Sequence, residues 1–166
     1  MNTVNAIQKT GPKDVFMNLL TIIGLYVVVV SFGALVFQLI NIYFPDPLQG
    51  DTGHYARQTL RWPLSVLVIV FPLYIWLVSY GEKDLLKNPL KRELKTRKWL
   101  LYFTLFATTI VIVVDLITLI FRFLEGELTV RFLLKVATVL LIAAAVFLYY
   151  ASKVRKEIPA SRDTRM

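Results

Sequence analysis

The sequence contains no cysteine and a single histidine, His54. Without thiols it forms no disulfide, offers no thiol nucleophile, and holds neither an iron–sulfur cluster nor a cysteine-type zinc site. One imidazole is too few for a His-rich metal centre or a haem held by two histidines. Charge is also scarce. Asp, Glu, Lys and Arg make up 18% of the chain, against about 25% in soluble domains. A phosphate-cradling Gly-rich loop, a dinucleotide fingerprint, an HExxH pair and a nucleophile elbow are all missing. No catalytic residue, metal or cofactor is therefore expected.

Long apolar runs dominate instead. Apolar residues account for 57% of the 166 positions, and the mean hydropathy is +0.62. A membrane span needs about twenty mostly apolar residues, because the hydrocarbon core is about 30 Å thick and a helix rises about 1.5 Å per residue. Four runs meet that length: about 15–44, 62–80, 99–121 and 132–151. None shows the period-2 alternation of a transmembrane barrel strand, and a helix satisfies every backbone group in lipid. The reading is an all-α, integral membrane four-helix bundle, up-down-up-down. Residues 1–14 form an N-tail, 15–151 the transmembrane domain and 152–166 a basic C-tail.

The first run carries no charge between Asp14 and Asp46. It is too long for the apolar region of a signal peptide, so a retained first span is expected. It stops at Pro45-Asp46-Pro47, where proline forbids further helix. In the second run Pro63 suits a first turn, Pro72 should kink the helix and Gly81 should end it. A turn at Glu125-Gly126-Glu127 joins the third and fourth runs, and the polar tail after Lys153 should fray.

The net charge of +8 reflects topology rather than a nucleic-acid partner. The N-tail, second loop and C-tail together hold fourteen Lys and Arg, and the other two loops hold four. The positive-inside bias puts both termini in the cytoplasm. The densest basic stretch includes Lys91, Arg92, Lys95, Arg97 and Lys98. It should extend the third helix, with positive-inside anchoring the leading reading and a partner dock or contact with anionic lipid of the cytoplasmic leaflet the alternative.

A few polar residues interrupt the runs. Positions three, four and seven apart share a helix face. Thr104, Thr108, Asp115, Thr118 and Arg122 make one stripe on the third span, and Arg131, Lys135 and Thr138 another on the fourth. Asp115 lies about 14 Å and Lys135 about 9 Å from the connecting turn. Lysine can close that difference by snorkelling, so an Asp115–Lys135 ion pair is expected, with Arg131 or Arg61 competing. Such a pair can fix helix register or relay protons; a lone carboxylate and lysine favour register. Gln38, Asn41, Asp46, His54, Arg57 and Arg61 gather near the opposite interface; interfacial capping and snorkelling is the leading reading of them, and an outer vestibule the alternative. Small residues, Gly24, Ser31, Gly33 and Ala34, allow close helix approach.

The phrases FPDPL, RWPLSVLVIVFPLYIWL, RKWLLYFTLF and GELTVRFLLKV resemble a bacterial family of small membrane proteins classed as a domain of unknown function. The resemblance runs from about Pro12 to Tyr150 and implies a four-span core in the bacterial cytoplasmic membrane. Asp115, Arg61 and Arg131 fall inside its typical phrases. Family members often continue past the fourth span into a further anchored segment, where this sequence has a basic tail. The resemblance implies no activity, substrate or cofactor.

Three functions compete on these residues. The leading one is a non-enzymatic scaffold or accessory subunit, working with a membrane-protein partner or as a homo-oligomer. The second is a small oligomeric ion or proton channel or transporter using Asp115. The third is a membrane enzyme acting on phospholipid at the outer face, with Arg57 and Arg61 holding phosphate.

Overall fold

The computed structural model describes residues 11–45, 52–87 and 95–162. Among them regular structure is exclusively helical: α1 Pro12–Tyr43, α2 Thr52–Thr59, α3 Arg61–Lys87, α4 Lys95–Glu125 and α5 Val130–Arg162. Local chemistry sets several ends. Pro12 opens α1, where a missing N–H costs no helical bond, and Asp14 in the first turn complements the positive end of the helix. At the far end the Phe44 N–H donates to the Ile40 carbonyl at 2.9 Å, just before Pro45. The α4–α5 turn closes with two bonds, Gly126 N–H to Phe123 O (3.1 Å) and Glu127 N–H to Arg122 O (3.3 Å). That pattern is a Schellman motif, and it requires the left-handed backbone of Gly126, φ 74°. Thr129 then caps α5, its hydroxyl accepting from the Phe132 N–H at 3.2 Å.

Three boundaries differ from the sequence reading. First, α3 passes through both Pro72 and Gly81 and ends at Lys87. One glycine costs a helix only about 1 kcal/mol, and good helix formers follow it. Second, α5 remains helical to Arg162 rather than fraying after Lys153. Third, the short helix α2 was not anticipated, because its eight residues, TGHYARQT, are polar and show no long apolar period. It runs almost directly into α3, bridged by Leu60 N–H to Ala56 O (3.0 Å) and Leu64 N–H to Leu60 O (3.3 Å).

Four helical stretches are long and apolar enough to cross a membrane: Pro12–Tyr43, His54–Lys87, Lys98–Glu125 and Val130–Lys156. Between 6% and 11% of each apolar window is buried within the chain. Many of the remaining apolar side chains are exposed, which is stable in lipid and not in water. The protein is an integral membrane protein.

Contacts between helices fix their relative directions. Lys13 meets Tyr80 at 3.3 Å and Gly24 lies against Tyr74, so α1 and α3 are antiparallel. Gly33 lies against Ile142 and Phe37 against Lys135, so α5 is also antiparallel to α1. Tyr26 reaches Thr104, consistent with α4 running alongside α1. Helix α1 is the hub of this arrangement, with α3 along one flank and the α4–α5 hairpin along the other. Its glycines permit the approach. A Cβ on Gly24 would stand 3.4 Å from Tyr74 Cδ2, and one on Gly33 would stand 3.8 Å from Ile142 Cδ1. The densest packing joins Ile22 and Leu25 of α1, Leu100 and Leu101 of α4, and Tyr150 of α5. This cluster sits at the end of the bundle where α1 begins and α5 ends.

Candidate functional site

The polar residues of α4 and α5 separate into different environments. Asp115 lies on the same face as buried Thr104 and Thr108 and is itself half-buried. Ten residues separate it from Glu125, the last residue of α4, so it lies about 15 Å from that helix end, near mid-span. Its Oδ2 is shielded and has no hydrogen-bond partner among the described residues. The anticipated Asp115–Lys135 ion pair is not formed. The Lys135 ammonium instead stands 5.7 Å from the centre of the Phe37 ring on α1, a cation–π geometry. Arg131 lies one turn away on the same helix.

Arg122, expected to extend the Asp115 stripe, serves the turn. Its guanidinium contacts Glu125 at 3.2 Å and Glu127 at 3.1 Å. All three side chains are exposed, so these pairs are worth less than about 1 kcal/mol. Three of the stripe threonines bond to their own helices, while Thr104 accepts from the Tyr26 hydroxyl of α1. Thr108 donates to the Thr104 carbonyl, Thr118 to Val114 (2.8 Å) and Thr138 to Leu134 (2.7 Å). Hydroxyls satisfied this way are at little cost in lipid.

At the α4–α5 turn end, the fold gathers a polar cavity of about 360 Å³. Gln38 and Asn41 of α1 line it together with Tyr55, Ala56 and Thr59 of α2 and Arg131 and Lys135 of α5. Asn41 Nδ2 donates to Gln38 Oε1 at 3.4 Å, while the Asn41 carbonyl oxygen is shielded without a partner among the described residues. A vestibule therefore exists where Gln38 and Asn41 suggested one, but its membership differs. Its cations are Arg131 and Lys135. His54, Arg57 and Arg61 are exposed and do not line it. Helix periodicity explains the exchange: Ala56 is buried against the bundle, and Tyr55 and Thr59, one turn apart and both exposed, form the rim of the cavity. Asp46 lies outside the described residues, as do Lys91 and Arg92. Lys95 and Arg97 belong to the first turn of α4, and Lys98 is half-buried there. Sequence reasoning missed Tyr55, Thr59 and Phe37. The spacing of Tyr55, Ala56 and Thr59 was a readable signal only once α2 was known to be helical.

A second cavity, apolar and about 420 Å³, lies between α1, α4 and α5. Its walls include Val30, Gly33 and Phe37 of α1, Val111 of α4, and Val139 and Ile142 of α5. Toward the termini its floor is built on Leu25, part of the packed cluster. Among the described residues no group of three or more His, Cys, Asp or Glu is placed to hold a metal.

No curated protein and no solved structure matches this chain. A family model does match, over residues 14–150, and its description is "Domain of unknown function (DUF5671)". That range takes in the apolar core of all four membrane-crossing helices and every residue lining the two cavities, and the chain belongs to the DUF5671 family.

Proposed function

We propose that this protein is a non-enzymatic scaffold or accessory subunit that acts by associating within the membrane with another polypeptide or with further copies of itself. The observation that carries this reading is Asp115, a half-buried mid-span carboxyl with a shielded oxygen that nothing among the described residues satisfies. A carboxyl at the centre of a span costs about 3 kcal/mol on insertion scales. Apolar faces give little drive for association in lipid, whereas a polar group between helices supplies about 0.6–2 kcal/mol. A neighbouring span offering a donor or acceptor offsets the cost of Asp115. The groups gathered in the vestibule are cations, amides and hydroxyls, a set suited to binding.

The transport reading has less support. Between Asp115 and the terminal end, the interior is filled by Ile22, Leu25, Leu100, Leu101 and Tyr150. An ion path would have to run between protomers. The phospholipid-enzyme reading relied on Arg57 and Arg61, whose side chains are exposed away from the cavity. The bacterial cytoplasmic membrane, with both termini inside and the basic segment on anionic lipid, remains the placement that fits the charge asymmetry.

The test is a dilution series of the fluorescently labelled protein in vesicles, alone and with membrane extract, following energy transfer and complex size. The parent and Asp115→Asn should associate, and Asp115→Leu should lose association roughly tenfold. Asp115→Leu should also be at least as stable as the parent toward unfolding, because a costly group has gone. Unchanged association in a folded Asp115→Leu protein would overturn the proposal.

A further inference from the structure

The two cavities adjoin, and their chemistries are complementary. Phe37 lines the apolar cavity and also carries the Lys135 ammonium over its ring at 5.7 Å. Gln38, the next residue, lines the polar cavity. On α5, Val139 of the apolar wall lies one turn from Lys135, which lies one turn from Arg131. A slot with hydrocarbon walls thus opens at its outer end onto two cations and two side-chain amides. Among the described residues no acid lines either cavity. The volumes, about 420 and 360 Å³, lie within the roughly 300–1,000 Å³ typical of small-molecule sites.

From this juxtaposition we infer that the protein binds one anionic phospholipid, an acyl chain lying between α1, α4 and α5 and the phosphate headgroup held by Lys135 and Arg131. The charge complementarity selects the occupant. A zwitterionic lipid brings a cationic group into a site that already holds two cations. A free anion leaves the apolar slot unfilled. A phosphate there would accept charge-assisted hydrogen bonds from the Lys135 ammonium and the Arg131 guanidinium. This site is independent of Asp115 and of the association proposed above.

The experiment is native mass spectrometry of the full chain released from nanodiscs that mix phosphatidylglycerol and phosphatidylcholine. Retained lipid would be compared for the parent, Lys135→Gln, Arg131→Gln and Gly33→Leu, with folding checked by helical circular dichroism. The parent should retain one phosphatidylglycerol per chain. Each charge variant should lose roughly tenfold of the preference over phosphatidylcholine, the size of one charge-assisted hydrogen bond. Gly33→Leu, which fills the slot, should lose lipid of both kinds. Equal retention of the two lipids by the parent would overturn the inference. So would a preference unchanged in folded Lys135→Gln and Arg131→Gln proteins, which would place the lipid at the basic terminal end. Displacement of the lipid by millimolar inorganic phosphate alone would mean that the site takes a free anion, and would also overturn it.

Discussion

At the scale of single residues, environment rather than residue type decides the role. The contrast is clearest between two glycines. Gly126 holds a left-handed backbone, φ 74°, that closes the α4–α5 turn. Gly81 sits within α3, and a Cβ there meets nothing within 4 Å. Gly126→Ala should therefore destabilise the hairpin by about 1–2 kcal/mol, whereas Gly81→Ala should be neutral or stabilising by up to about 1 kcal/mol. Unfolding of the two variants in detergent with added denaturant checks both signs. The same dependence on surroundings limited what could be read from the sequence. Asp115 and Lys135 were visible as charges interrupting apolar runs, and their depths were close enough to suggest a pair. Whether they pair depends on the rotation of α5 and on the Phe37 ring, a residue of another helix distant in sequence. Periodicity within α4 and α5 contains neither.

At the scale of elements, the apolar runs identified every membrane-crossing helix, because about twenty consecutive apolar residues admit few other structures. Polar ends were less legible. Helix α2, the last turns of α3 and the end of α5 lack the apolar signal. Packing between elements hinges on close approach. The Cβ position of Gly24 lies 3.4 Å from Tyr74, and Tyr74 packs against the α1–α4–α5 cluster. Gly24→Leu should push α3 off α1, at a cost of about 1–3 kcal/mol for overpacking, and Tyr74→Ala combined with it should recover part of that loss. Thermal denaturation in detergent reads the single and double variants. Additive losses would mean that the two residues do not share the contact.

At the scale of the whole molecule, a hub helix with a single helix on one flank and a hairpin on the other leaves polar chemistry in two zones. One is the mid-span carboxyl, and the other is the cationic vestibule above an apolar slot. Composition foretold a membrane protein, and the four long apolar helices bear that out. Neither could foretell that Arg131 and Lys135 join Gln38 and Asn41, since that grouping arises only when α1, α2 and α5 converge. The charge asymmetry of fourteen to four makes orientation testable, and the cysteine-free chain suits the test. A membrane-impermeant thiol reagent applied to intact cells should label Glu127→Cys in the α4–α5 turn and leave Ser152→Cys on α5 unlabelled until the membrane is opened. The reverse pattern would invert the orientation.

The central claim is that Asp115 is completed by a second polypeptide. A photo-crosslinking amino acid placed at Ile112, one turn from Asp115 on the same half-buried stripe, reports directly on what lies there in the native membrane. Irradiation should yield an adduct heavier by a second protein chain, and Asp115→Leu in the same background should abolish it. Crosslinks to lipid or to α5 of the same chain alone, with no protein adduct in the parent, would contradict the claim.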